Sequence, residues 1–317
     1  MKIVPLKADH FEDAAGLVSS QYKTLYERVP HLPDRYKDAN TFLPLLRNIM
    51  DNTRPGVAAI QDGQLVGHLI GWLMPNFRGK MSVYSPEWAN AATIENCAHI
   101  YQEMYRQIAA NWVADKYAAH YISIFAHDRE AIRTWHWLGF GMLGVDAVRG
   151  LQPIKGINKQ IEIRRANPHH IEQVLDLQQG LVQFVKESPY FFIGDDLNRA
   201  YFEEWLQEPD KVIWLAYVDD EPVTFIRMGP ANDDASTIIM DEGTTSIYGA
   251  FTQEKMRDKN IATSVLAHAV GAARSQGYER WAVDFESMNL LGTRFWLGHD
   301  FVPVCYSLQR NVDERVL

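Results

Sequence analysis

Apolar positions along this chain recur at two periods, and the two periods alternate in the same order in both halves. Near the C-terminus, Thr245 to Thr252 reads as a strand, Ile261 to Arg274 as a helix, Trp281 to Phe285 as a strand and Val302 to Leu308 as a last strand. The first half runs from a strand over Met81 to Tyr84 into a helix from Ile94 to Ala114. Two hairpins precede these runs. One covers Gly56 to Gly67, with turn chemistry in Asp62-Gly63, and its counterpart covers Val212 to Val223. Strands that alternate with helices in this way predict a mixed α/β fold with helices on the faces of each sheet.

The two halves repeat at a spacing of about 160 residues, which is the size of a whole domain. Ile3-Val4-Pro5-Leu6-Lys7-Ala8-Asp9-His10 aligns with Ile161-Glu162-Ile163-Arg164-Arg165-Ala166-Asn167-Pro168. Each is a strand, a polar cap and the start of an amphipathic helix. Trp135, Gly139 and Phe140 align with Trp296, Asp300 and Phe301, a shift of 161. A length of 317 residues suits two domains, expected at 1–150 and 158–317 with Gly150 to Asn158 as the linker.

Composition narrows the function. A hydrophobic content of 47% supports packed globular domains, and a formal charge of -9 argues against nucleic acid or an anionic membrane as the main partner. No apolar run approaches the ~20 residues that span a bilayer, and no secretory signal pattern opens the chain. Cys97 and Cys305 both sit in apolar contexts, so reduced thiols in a cytoplasmic protein are expected. His169-His170 has no Cys, Asp or Glu at metal-ligand spacing, which argues against a metal site. A monomer or a homodimer fits equally.

The chemistry concentrates in two blocks. Arg257-Asp258-Lys259-Asn260-Ile261-Ala262 stands between a strand and a helix, where unpaired backbone N–H groups and the positive end of the helix dipole favour an anion. The second block is Asn289-x-x-Gly-x-x-Phe-Trp-x-x-His-Asp-Phe301. The first resembles the Arg/Gln-x-x-Gly-x-Gly/Ala loop of the GNAT family of N-acetyltransferases, and the second that family's Asn-x-x-Ala-x-x-Phe-Tyr-x-x-Leu-Gly-Phe block. Arg257, Asn260 and Ala262 fall on the loop's three motif positions. Asn260 replaces a glycine, and Asn tolerates the left-handed conformation better than other side chains.

The resemblance implies two tandem domains, each a mixed six- or seven-stranded sheet flanked by helices, with acetyl-CoA as cosubstrate and an amine as acceptor. It implies that the pantetheine chain lies along Ala250 and Thr252. The pyrophosphate would meet the N–H groups from Arg257 through Ala262, including Asp258, Lys259 and Ile261, with Asn289 and Trp296 nearby. The first half lacks this loop, since Ser85-Pro86-Glu87-Trp88-Ala89-Asn90 follows its strand and Asp128 stands where the family has Asn. It therefore reads as a degenerate copy.

Acetyl transfer needs a base for the amine and a proton for the leaving thiolate. Trp296 occupies the family's Tyr position, and an indole does not titrate. Tyr306 and Tyr248 are the nearest substitutes. Base candidates are Asp241 or Glu242 before the fourth strand and Asp284 or Glu286 on the fifth, where alternation puts the latter two on one face. A different reading is a non-catalytic acyl-CoA-binding or partner-binding protein on the same scaffold.

Overall fold

The computed structural model describes residues 1–51, 56–193, 197–231 and 236–317. The chain forms two compact units. Unit 1 comprises Met1–Asp146, Ser236–Ile238 and Pro303–Leu317, and unit 2 comprises Ala147–Ala235 and Ile239–Val302. The expected boundary at Gly150 to Asn158 thus falls a few residues late. Two segments expected in the second domain also belong to the first.

Unit 1 opens with β1 (Lys2–Pro5) and α1 (Phe11–Arg28). The helix buries Phe11, Ala14, Ala15, Val18, Tyr22 and Leu25, a stripe at the spacing of one helical face. After α2 (Leu43–Asp51) comes the hairpin of β2 (Val57–Gln61) and β3 (Gln64–Leu69). Asp62 and Gly63 take φ of 52° and 81°, the mirror-image turn that fits strand twist. β1, β2, β3 and the short β6 (Asn90–Ala92) make one sheet.

A second run joins β4 (Trp72–Phe77), β5 (Lys80–Ser85), β7 (Ala119–Phe125) and β14 (Val302–Asn311). The strands of unit 1 are therefore shared between two sheets, because the chain after β5 turns back to pair β6 with β3. Helices α3 (Cys97–Ala114) and α4 (Arg129–Trp137) complete the unit, with β8 (Gly141–Gly150) beginning in it. The last strand belongs here for a plain reason: β14 pairs antiparallel with β7 from Cys305↔Phe125 to Asn311↔Ala119 and buries Cys305 and Leu308. Both cysteines are free and buried.

Unit 2 orders its strands β13-β12-β11-β10-β9. These are β9 (Glu162–Arg165), β10 (Val212–Val218), β11 (Glu221–Pro230), β12 (Thr244–Thr252) and β13 (Arg280–Glu286). Its helices are α5 (Ile171–Lys186), α6 (Arg199–Gln207), α7 (Ile261–Ser275) and α8 (Leu290–Gly298). Val174, Leu177, Phe202, Trp205, Leu215 and Phe225 form the core beneath α5 and α6.

The repeat seen in sequence extends to local hydrogen bonds. His10 Nδ1 accepts from Lys7 N at 3.1 Å, and His170 Nδ1 accepts from Asn167 N at 3.1 Å. Each ring satisfies an orphan donor at a helix start, which accounts for His170 without a metal. Among the described residues no group of three or more His, Cys, Asp or Glu could hold a metal ion. None of the described helices is long and apolar enough to cross a membrane.

Unit 1 buries two imidazoles, His68 and His120, and burial pushes both down to about 4. An unfolded histidine titrates near 6.5, so between roughly pH 6.5 and 4 the unfolded chain binds protons that the folded one refuses. Stability is complete above that window and falls as pH drops through it, by on the order of 3 kcal/mol per histidine. Burial raises Glu87, which acts in the opposite sense. Urea unfolding at pH 7, 5.5 and 4.5 should therefore lose stability more steeply in the natural protein than in His120→Gln. Parallel slopes for the two proteins would remove the buried imidazole as a cause.

Candidate active site

The site begins with a strand that leaves its partner. β12 and β13 run parallel in register only from Thr244↔Arg280 to Ile247↔Val283. β12 continues five residues further and β13 three. The parting follows from a bulge: Arg227 pairs with Gly249 and Met228 with Ile247, so Tyr248 is an extra residue on β12. Arg227, buried on β11, donates from Nη2 to the Tyr248 carbonyl at 2.7 Å. Its guanidinium lies 4.9 Å from the Trp205 ring centroid and 5.2 Å from that of Tyr201. Beyond the bulge, the edge of β12 away from β11 has no strand beside it in this register.

A cleft of about 430 Å³ opens along that edge. Ala250, Phe251 and Thr252 of β12 form one side, with Leu181 and Phe184 of α5 above them. Asn289, Leu291, Arg294 and Trp296 close the other side, and the start of α7 closes the end. Gly180 sits where a Cβ would meet Phe251 Cε1 at 2.6 Å, so only glycine lets α5 approach β12 this closely.

The end wall carries the anion chemistry. Asp258 and Asn260 have φ of 60° and 58°, which turns the chain twice before α7 starts at Ile261. No described residue accepts a hydrogen bond from the backbone N–H of Asp258, Lys259, Asn260, Ile261, Ala262 or Thr263. Six donors at the positive end of a four-turn helix are a ready anion cradle. Arg257 folds back, donating from Nε to Thr252 O at 3.3 Å and lying 5.0 Å from the Phe184 ring centroid. The turn is braced from behind: Ser264 Oγ donates to Asn260 O at 2.8 Å and accepts from Asn158 N at 2.7 Å. Thr263 Oγ1 and His299 Nε2 stand 3.1 Å apart, tying α7 to α8.

The sequence-predicted residues divide clearly. Ala250, Thr252, Arg257, Asp258, Asn260, Ile261, Ala262, Asn289 and Trp296 all line the cleft. Lys259 does not; its exposed ammonium lies 3.6 Å from Met256 Sδ. Asn289 also caps α8, accepting from Gly292 N at 2.9 Å, and its amide fills the space that a Cβ at 292 would need. Trp296 is 6% exposed and packs on Phe295 and Phe301.

The proposed proton carriers fare differently. Tyr306 pairs with Ile124 on β7 and packs against the core of unit 1, so it is not part of this cleft. Its strand alternation is the same whichever sheet it joins, which is why the sequence placed it here. Glu242 is exposed and outside the cleft lining. Asp241 is held by Arg280 Nη1 at 3.0 Å, a structural pair. Asp284 is exposed, not half-buried as its strand position suggested. Its face-mate Glu286 is half-buried and accepts from Tyr190 Oη at 2.6 Å. That partner is 96 residues distant in sequence, and no local pattern signals the contact.

Unit 1 shows what becomes of the same slot when it is filled. β5 and β7 pair in parallel from Ser82↔Ala119 to Ser85↔Ile122, as β12 and β13 do. Here, though, Ser85 to Ala92 are buried without a break, and Asn90 Nδ2 donates to Ser123 O on β7 at 3.0 Å. Unit 1 thus has a buried segment hydrogen-bonded to β7 where unit 2 has its cleft wall.

Residues 180–299 match the family model described as Acetyltransferase (GNAT) family. No curated protein sequence matches the chain. Among solved structures, a GCN5-related N-acetyltransferase from Sphaerobacter thermophilus aligns with a TM-score of 0.60 at 12% identity, covering 98% of this chain and 95% of that one. A tandem GNAT protein from the clavulanic acid biosynthesis pathway aligns with a TM-score of 0.52 at 11% identity, covering 98% of each chain. At such identities these structures show the fold, which over the whole length is that of a tandem GNAT protein.

If backbone donors hold the anion, Ala262→Pro, which deletes one of them, should weaken acetyl-CoA binding roughly tenfold or more, the size of one charge-assisted hydrogen bond. Lys259→Ala should cost less than about 1 kcal/mol, as expected for an exposed charge. Calorimetric titration with circular dichroism as a check on helicity measures both. Equal losses would mean that side-chain charge binds the ligand.

Proposed function

We propose that this chain, whose residues 180–299 form a GNAT-family domain, transfers an acetyl group from acetyl-CoA to an amine, with unit 2 holding the donor. The observation that carries this reading is the open edge of β12 leading to six unpaired N–H groups at the start of α7. An extended amide-bearing chain that ends in a pyrophosphate matches both parts. Ala250 and Thr252 would hold the pantetheine through the strand edge, and Asp258 to Thr263 would hold the pyrophosphate. Bound there, acetyl-CoA supplies a thioester whose C–S bond breaks as the C–N bond to the amine forms.

The protein's own task is proton handling. An ammonium acceptor must lose one proton before it can attack and a second as the amide forms, while the departing thiolate takes one up. One proton is released per turnover. Glu286 is our candidate to accept the first: it is half-buried, lies three residues before Asn289 of the cleft wall, and accepts from Tyr190 Oη. Among the described residues no tyrosine lines the cleft, which leaves water as the proton source for the thiolate in this proposal. A thiol is acidic enough to leave with that help alone. The filled slot of unit 1 supports a structural role for the first copy, without a second donor site.

The reading is tested by following CoA thiol release with a panel of amines. Glu286→Gln should lower kcat/KM by roughly 10²–10⁴-fold, the usual contribution of a positioned base, with acetyl-CoA affinity retained. Tyr190→Phe should cost less, and Trp296→Phe should keep most activity. A protein that binds acetyl-CoA with full affinity and turns over no amine would instead support the non-catalytic acyl-CoA binder, which the missing cleft tyrosine favours.

A further inference from the structure

The segment that follows α5 holds an aromatic side chain out of the core at a conformational cost. Tyr190 N and Phe191 N both donate to Glu187 O, at 2.8 and 3.0 Å, and Phe192 N donates to Val185 O at 2.8 Å. These bonds fix Phe191 at φ 49°. That left-handed conformation is disfavoured for a side chain with a Cβ. Burial does not offset that penalty, because Phe191 is 75% exposed and Ile193 81%.

The same segment is tied to the end of β13, three residues before Asn289 of the cleft wall, since the Tyr190 hydroxyl donates to Glu286. Four residues beyond Glu286, the first turn of α8 presents Leu290 and Leu291, 54% and 46% exposed, and Leu291 also lines the cleft. The one hydrogen bond from Tyr190 to Glu286 thus joins two segments that each carry a pair of exposed apolar side chains. Scattered exposed apolar residues need no explanation, but four on the two segments joined by one hydrogen bond to a carboxylate do.

The geometry points to an amphiphilic acceptor: a primary amine whose ammonium meets Glu286 and whose apolar arm, alkyl or aryl, lies on Phe191, Ile193, Leu290 and Leu291. This deepens the acetyltransferase reading and rests on it for the reaction, though not for the binding. Asp284, exposed on the same face of β13, is the one feature that would suit a second positive charge instead.

The test uses the full chain and four probes: n-hexylamine, 2-phenylethylamine, ethanolamine and spermidine. Each is titrated by calorimetry against the protein saturated with CoA, and each is assayed for acetylation. The first two should bind most tightly, and the ratio of their kcat/KM to that of ethanolamine should fall roughly tenfold in Phe191→Ser/Ile193→Ser, as expected for lost apolar contact. Both substitutions are at exposed positions, and an unchanged melting temperature confirms the fold. Comparison of the alkyl and aryl probes then identifies the arm. Tight binding of the apolar amines without acetylation would support this inference and overturn the proposed reaction. Acetylation led by spermidine or ethanolamine, unmoved by the double variant, would overturn the inference and keep the reaction. Neither binding nor acetylation of any probe would overturn both.

Discussion

The carbonyl of Tyr248 is the group on which the site depends. In a regular parallel pair that stretch of β12 would continue along β13, and no edge would be free. The extra residue at Tyr248 breaks the register, and a buried arginine on the neighbouring strand, Arg227, supplies a donor to the displaced carbonyl at 2.7 Å. Without such a donor the bulge would leave a polar group buried and unsatisfied, at a cost of about 1–3 kcal/mol. Arginine suits the position because its flat guanidinium packs among Tyr201, Phe202 and Trp205 while it donates. The cleft is therefore opened by an interaction on the far side of the strand from the ligand.

The electrostatics of the cleft follow from its construction. Its anion cradle is made of backbone, so the charged residues near it are free for other work: Arg257 packs over Phe184, and Lys259 is in solvent. This explains how the loop tolerates Asp258 beside an intended phosphate. The N–H groups from Asp258 to Thr263 have no acceptor among the described residues, and the aspartate's exposed side chain is screened by water. Glu286, the carboxylate proposed as base, lies outside the lining of that cradle.

Local rules made the turn, the caps and the element order readable from sequence. Asn260 takes the left-handed conformation expected of it, Asn289 caps α8, and the strand and helix limits differ from expectation by only a few residues. What escaped was every feature set by long-range pairing. Alternation marks Val302 to Leu308 as a strand but does not say that it pairs with β7, which packs Tyr306 against the core of unit 1 and outside the cleft lining. The Tyr248 bulge needs the register of two strands, and the Tyr190–Glu286 contact joins residues on separate elements. Burial was misjudged for the same reason: Asp284 and Glu286 share a face, yet only Glu286 has the Tyr190 segment over it.

The two units carry nearly the same helix start, and the comparison separates motif from site. Asn96 before α3 has φ 58° and ψ 23°, and Asn260 before α7 has φ 58° and ψ 20°. Asp128 caps α4 by accepting from Ala131 N at 2.9 Å, as Asn289 caps α8. Yet in unit 1 the segment from Ser85 to Ala92 is buried, with Asn90 Nδ2 donating to Ser123 O of β7 at 3.0 Å and Glu87 accepting from Ile238 N at 3.1 Å. A left-handed asparagine and a helix dipole are thus insufficient, since the ligand also needs a strand edge with room beside it. In unit 2 the cleft lies along Ala250 to Thr252, just where β12 and β13 have ceased to pair.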